Sequence, residues 1–478
     1  MLTAKYEKLG KPSVTIVSDH VLSVAKKRIL SATEAMPAMR IINIPNVTRE
    51  AKNKLALATV PKIIEALTKP LTEQEKYSGK FELPKQPRLI FTGTLDQVQE
   101  FFTGDLSKYT TTAPHAEYTD GLPVIPPTAD RVAKMLKGTK HKPDEVVGKL
   151  APFNGIATVE KVAINAVMAG ARPEYMPVLL ALTEAMANDP GAQGAAQGGG
   201  GLFCNPVVIS GPVAKEIGLN SGGPQHSGPA PLLPGVPANM VIGRFMRLMQ
   251  MNVGGVEPGV SEAKEIGSPF KTSMVMSEDE GSPWPQLSAE LGLGFKDKES
   301  TVILFSGWSD FLTDFGPTLN DLGTTPAQIK NPDILARYLT CVVQTATALT
   351  HPTQGLLYMI SPGLAHEFAK AGYTRKDIQK WIYENTVAPW GKIKQQPWAN
   401  FPVRLFKPAA LATTQGKNLP LYKQEQFSPN MPDETLVKYF TAPEVIYILV
   451  GPASPLPQAR TVIMNQHPTW TVAVDKWR

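Results

Sequence analysis

The sequence predicts an α/β protein: a small parallel-sheet half-domain at the N-terminal end, then a larger multi-layer α/β region with a helical central segment. Three observations carry this. Short β-branched runs alternate with helical apolar spacing over residues 12–68, and the same alternation returns after residue 284. Between them, Tyr118 to Trp284 places glycines, prolines, asparagines and acids at the joints between apolar helices, where a scaffold presents groups to a ligand. The 478 residues, 42% of them hydrophobic, suffice for about three domains' worth of core. The expected division is 1–70 as a partial α/β domain, 71–87 as a linker, 88–290 as the domain that bears the site, and 291–478 as a C-terminal α/β domain.

Ser13–Val17 and Arg40–Ile44 read as strands, each followed by a helical pattern, Val21–Leu30 and Glu50–Leu67. Two parallel strands make a thin sheet with exposed faces and edges, so something else is expected to complete it. Arg88–Thr92 reads as a strand and Thr94–Phe102 as a helix capped by Thr94. Asp120-Gly121 with Pro123, Pro126 and Pro127 makes a rigid turn, after which Thr128 is expected to cap a helix over Ala129–Leu136. Thr158 caps the next helix, Gly170-Ala-Arg-Pro173 stops it, and Pro173 opens a helix over Glu174–Asn188. The glycine-rich stretch Gly191–Gly201 is low in complexity and a candidate lid. Pro206–Ser210 reads as a strand and Val213–Ile217 as a short helix. A Gly/Pro loop over Ser221–Pro237 then leads into the apolar helix Ala238–Met251. Further on, strands are expected at Thr301–Phe305, Gly355–Ile360 and Val445–Val450, and helices at Pro332–Thr350 and Ala365–Lys370, followed by a segment at Thr374–Glu384 left without an assigned type.

Composition excludes several classes. The 48 basic and 42 acidic residues are interspersed, and no basic run is interleaved with aromatics, so nucleic acid is not an expected partner. No stretch approaches the ~20 apolar residues of a membrane span, and the first residues lack an apolar signal core; the expectation is a cytoplasmic protein off the membrane. Two cysteines, Cys204 and Cys341, lie far apart, and the seven histidines form no metal-ligand spacing, so no metal site is expected. No motif identifies a cofactor.

The candidate catalytic residues are Glu278, Glu280, Asp120 and His226. Glu278-Asp-Glu280 crowds three carboxylates before the rigid Ser282-Pro-Trp284, and crowding with desolvation by Trp284 raises a carboxyl toward general-acid use; the alternative is a solvated acidic turn. Asp120 serves either as base or anchor, or holds its own turn. His226 offers an accessible imidazole in its Gly/Pro loop, or is simply solvated. The candidate binding residues are Asn165, Asn239, Arg244, Asn252, Gly254, Gly255 and Trp284. Asn165 lies on an apolar helix and is a clamp between helices or a donor to substrate. Arg244 could fork onto a substrate carboxylate or pair with a protein acid. Asn252-Val-Gly-Gly255 offers backbone amides to an anion, although nothing matches a nucleotide-binding fingerprint.

The strings Phe91-Thr-Gly-Thr-Leu-Asp96, Thr119–Thr128, Thr158–Gly170, Asn239–Arg244, Asn252–Gly255 and Ser282-Pro-Trp284 resemble bacterial proteins of the UGSC (seleno)protein family. That family is related to the B component of glycine, sarcosine and betaine reductases. Residues 6–68 resemble the second half of its N-terminal domain, which here implies a partial flavodoxin-like unit. The selenol- or thiol-bearing motif is absent, Ala171 stands where the family often has a cysteine, and Met274-Val-Met276 occupies the region of another. The resemblance implies an enzyme subunit that acts on a small polar or anionic molecule, by reductive or eliminative cleavage of a carbon–heteroatom bond with carboxylate help. A second polypeptide would then supply the missing strands and redox motif in a hetero-oligomer; the other explanation is a truncated domain or a misplaced start. The competing functions are a carboxylate-dependent lyase or hydrolase without a redox step, and a non-catalytic binding subunit.

Overall fold

The structure is a computed structural model that describes residues 10–18, 40–45, 49–70, 88–103, 118–189, 203–220, 238–256, 274–308, 311–315, 355–393, 431–440, 442–451, 459–464 and 466–478, with isolated positions between 328 and 339 and at 395. The expected helix at Val21–Leu30, the 71–87 linker, the 191–201 and 221–237 loops with His226, and most of the helix at Pro332–Thr350 lie outside the described residues.

At the N-terminal end β1 (Val14–Ser18) and β2 (Arg40–Ile44) pair in parallel with Ile16 opposite Ile42, and α1 (Arg49–Thr68) packs on them. Among the described residues this sheet has two strands. The Arg40 guanidinium donates to the carbonyl of Ala66, which the last turn of α1 leaves free, and to that of Pro70 just beyond the helix. α1 is apolar on two sides. Leu55, Thr59, Ile63 and Ala66 mark its covered face, while Leu57, Val60, Ile64 and Leu67 form an exposed stripe at helical spacing.

The strand expected at Arg88–Thr92 does not form. It meets no ladder partner among the described residues; Leu89 stays exposed and only Ile90 packs against the core. α2 (Leu95–Thr103) begins with reciprocal capping between Thr94 and Gln97. α3 (Ala129–Leu136) follows Thr128, whose side chain makes no cap; its carbonyl accepts from Val132 N–H instead. β3 (Val146–Leu150) and β4 (Gly155–Thr158) form an antiparallel pair. α4 (Val159–Ala169) starts at Thr158, whose hydroxyl accepts from Lys161 N–H, and ends at Gly170 with φ +86°. Pro173 opens a single 3-10 turn, which delays α5 to Met176–Asn188.

The remaining elements are β5 (Phe203–Cys204), β6 (Val207–Ser210), α6 (Val213–Glu216), α7 (Ala238–Asn252), β7 (Val275–Ser277), α8 (Leu287–Glu290), β8 (Thr301–Trp308), β9 (Phe311–Phe315), β10 (Leu356–Ile360), α9 (Pro362–Lys370), α10 (Arg375–Asn385), β11 (Val387–Pro389), α11 (Trp390–Ile393), β12 (Leu436–Lys438), β13 (Ile446–Val450), β14 (Ala459–Met464) and β15 (Gln466–Ala473). One sheet runs β15-β8-β6-β7 with β5 on β8; the other runs β13-β10-β14-β9. β6 and β7 are parallel, as are β10 and β13.

These two sheets pack face to face. Alternation along the strands shows it, because successive side chains point to opposite sides. Val207 and Ile209 join the helical core, with Val302 and Leu304, while Val208, Ile303 and Phe305 meet Leu357, Met359, Tyr447 and Leu449 between the sheets. Leu356, Tyr358, Ile360, Ile446, Ile448 and Val450 face a third cluster with α9 and α10. The layers are therefore helices, sheet, sheet, helices. Strands buried on both faces explain why these segments read as unbroken apolar runs. The expected boundary at residue 290 is corrected: β8 and β15 complete the same sheet as β6 and β7, so the cut divides a hydrogen-bonded unit.

Candidate functional site

The candidate residues fall into two groups. Asp120 pairs with Arg244 and Asn165 with Asn252, which ties the 118–128 turn and α4 to α7, and Asn252 also reaches the Tyr118 carbonyl, two residues before Asp120. Arg244 Nε and Nη2 donate to Asp120 Oδ2 and Oδ1, each at 2.9 Å, and Nη2 also donates to the carbonyls of Leu122 and Pro123. Gly121 has φ +97°, and Leu122 N–H reaches Asp120 Oδ1 at 3.3 Å, so the expected Asp-Gly turn forms and the arginine fastens it to α7. Burial pushes the Asp120 carboxyl up, but its bonds to Arg244 and to backbone amides hold it below the ordinary value. Arg247, one turn further along α7, is buried close enough to feel the Asp120 charge; desolvation lowers its own value.

Asn165 and Asn252 are linked side chain to side chain. Asn252 Nδ2 donates to Asn165 Oδ1 at 2.8 Å and to the Tyr118 carbonyl at 3.2 Å, and Asn165 Nδ2 donates to Lys161 O at 2.9 Å. Asn252 Oδ1 is buried and accepts no hydrogen bond among the described residues. Lys161 Nζ donates to Ile156 O at 2.8 Å, and burial lowers its value. Beside the pair, Tyr118 packs on Phe101 and Phe102, and Phe101 stacks on Phe91 with centroids 4.5 Å apart.

The amides of Gly254 and Gly255 are not open to an anion. They donate to Met249 O and Met251 O, closing the end of α7. A Cβ at Gly254 would lie 2.6 Å from the carbonyl oxygens of Ala151 and Gln250, and Gly255 has φ +79°. These glycines serve a close backbone approach. Asn239 is likewise committed to the fold: it lies buried in the first turn of α7, donates to Val275 O and accepts from Asn220 N–H.

Glu278 stands apart from this group. It follows β7, and its carboxylate accepts from Ser210 Oγ at 2.9 Å, from Leu287 N–H at 2.9 and 3.0 Å, and from Arg375 Nη2 at 3.2 Å. Arg375, at the start of α10, also donates to Glu290 at 2.8 Å and lies 5.8 Å from the Trp284 ring. Burial pushes the Glu278 carboxyl above its ordinary value against the pull of Arg375, Ser210 and the Leu287 amide. Trp284 is buried and donates through Nε1 to Tyr373 O. Only Glu280 of the acidic run is exposed, in a turn held by Asp279 Oδ1 and Gly281 N–H. Asp279 N–H reaches Val450 O at 2.8 Å, so this turn bridges the two sheets at the carboxyl ends of β7 and β13. Of the two carboxylates offered as alternative acid–base groups, Glu278 is buried against Arg375 and Glu280 is exposed.

No family model, curated protein or solved structure matches the chain. Among the described residues no group of three or more His, Cys, Asp or Glu is placed to hold a metal ion, and no helix is long and apolar enough to cross a membrane. Sequence reasoning passed over Arg247, Ser210 and Arg375. Arg375 carried one usable signal, its place after the Thr374 cap of a reciprocal Thr374–Asp377 box; nothing distinguished it from its neighbour Lys376 as the buried cation.

Proposed function

We propose that this chain is an enzyme subunit that binds a small polar or anionic molecule where the 118–128 turn meets α4 and α7. The observation that carries the reading is that two side-chain pairs from distant parts of the chain, Asp120–Arg244 and Asn165–Asn252, both fasten the start of the 118–128 turn to α7, with Asn252 Oδ1 left as a buried acceptor. A buried acceptor without a donor costs about 1–3 kcal/mol, which a ligand N–H or O–H would recover. Asp120 is held ionised, so it would orient a donor or accept a proton rather than deliver one. The resemblance to the UGSC and reductase-B group favours cleavage of a carbon–heteroatom bond, with the selenol or thiol on a second polypeptide. Among the described residues the β1–β2 sheet has two strands and α1 carries an exposed apolar stripe, surfaces that such a partner would cover.

A second reading, a binding subunit without turnover, is favoured by one observation: Asp120 and Glu278 are both gripped by arginines, and only Glu280 is exposed. One experiment separates them. The purified chain, with whatever copurifies from its host, is titrated with a panel of small amino and hydroxy acids and their amides, with and without a dithiol. Product in the wild type that Asn165→Ala and Asn252→Ala both remove supports the enzyme. Binding without product supports the second reading, and neither binding nor product sinks both.

A further inference from the structure

We infer that His141 is a proton-operated clasp that fastens the turn at residues 475–477, and through it the outer strand β15, to the helical side of the protein. His141 lies in the loop between α3 and β3. Its Nδ1 stands 2.9 and 3.0 Å from the two Glu145 carboxylate oxygens, and its Nε2 stands 2.9 Å from the Lys476 carbonyl. Both partners are acceptors only, and a neutral imidazole carries one N–H. Only the imidazolium donates to both, so loss of the proton sets a ring lone pair against an oxygen at one end of the contact. The ring also packs on Trp477, with centroids 4.6 Å apart.

The other charges around the ring are accounted for. Glu145 comes from the same loop, and Lys476, Asp475 and Arg478 from the clasped segment. From α5, Glu184 accepts from Lys476 Nζ at 2.6 Å and from Trp477 Nε1 at 2.8 Å; from α6, Glu216 pairs with Arg478. Burial pulls the imidazole down, and the Lys476 ammonium does the same. The Lys476 carbonyl and the Glu145 carboxylate outweigh them and hold it above its ordinary value.

The clasped segment continues β15, whose Val472, together with Val474 and Trp477 just beyond it, enters the main core. Thr139 Oγ1 to Trp477 O at 2.7 Å is the other bond from the same loop to this segment. Because the raised value belongs to the folded state, the contribution is complete below about 6.5 and is lost as pH rises through the folded value.

The test uses the full chain. Histidine ring NMR, with His141 assigned by His141→Gln, is expected to show a doubly protonated ring with a midpoint above about 6.5, lowered in Glu145→Gln. Emission attributed to residue 477, as the difference between wild type and Trp477→Phe, is expected to rise through that same midpoint as the quenching imidazolium disappears. Hydrogen exchange at 474–478, corrected for its intrinsic pH dependence, should lose roughly 2- to 10-fold of its protection across the midpoint, the weight of one hydrogen bond. It should be flat in His141→Gln. A midpoint at or below about 6.5, or protection that is independent of pH in the wild type, overturns the inference. Should His141→Gln fail to fold, the wild-type ring nitrogen shifts decide alone, because they report directly whether both nitrogens carry protons.

Discussion

Arg244 holds Asp120 by two parallel hydrogen bonds of 2.9 Å, and the same guanidinium holds the carbonyls of Leu122 and Pro123. A planar fork does this and a lysine cannot. Arg244→Lys should therefore cost about 1–2 kcal/mol, and Arg244→Leu about 3, because the latter leaves a nearly buried carboxylate without its counter-charge. Urea unfolding at pH 7 measures both.

The same pair sets a pH dependence. The folded value of Asp120 is lowered, so its stabilisation is complete above the unfolded value of about 3.9 and disappears as pH falls through the folded one. Urea midpoints from pH 7 down to pH 3 should fall less steeply in Asp120→Asn than in the wild type.

Asn165 and Asn252 should be coupled. A double-mutant cycle with alanine at each position is expected to give about 0.5–1.5 kcal/mol of interaction for their 2.8 Å bond, read from chemical denaturation. If a ligand donor completes Asn252 Oδ1, the coupling measured with saturating ligand should exceed that measured without it.

Arg375 is the counter-charge for a carboxylate in a fully buried place. Arg375→Met should cost about 3–5 kcal/mol, since it strands Glu278, whereas Glu290→Gln, at a partly exposed acid, should cost about 1 or less. Glu278 binds its proton more tightly in the folded chain. Its contribution is thus complete below the unfolded value of about 4.3 and fades as pH rises through the higher folded one. Glu278→Gln should remove that slope from a pH series of thermal midpoints.

Gly255→Ala forces a Cβ into left-handed backbone, 2.6 Å from the Phe153 ring, and should cost about 1–3 kcal/mol. Calorimetry gives the loss. If Gly254 and Gly255 close α7 rather than hold an anion, ligand affinity measured below the lowered midpoint should be unchanged.

By itself the sequence determined the elements whose patterns are local. The apolar runs at Val207–Ser210 and Leu356–Ile360, the helical spacing at Val159–Ala169, and the capping signals at Thr94 and Thr158 are written within a few residues, and the corresponding elements form there. The short strands β7, β11 and β12 carry too few residues for a pattern, and Arg88–Thr92 has the pattern but no ladder partner among the described residues. The grouping of Asp120 with Arg244 was legible only as two alternatives for each residue, since pairing across 124 positions depends on where α7 lies. Tertiary structure alone decided that β8 and β15 complete the sheet of β6 and β7, that Arg375 meets Glu278, and that Glu278 and Asp120 belong to different places. A side chain's charge is fixed by its identity, but its partner is fixed by packing, which no spacing along the chain encodes.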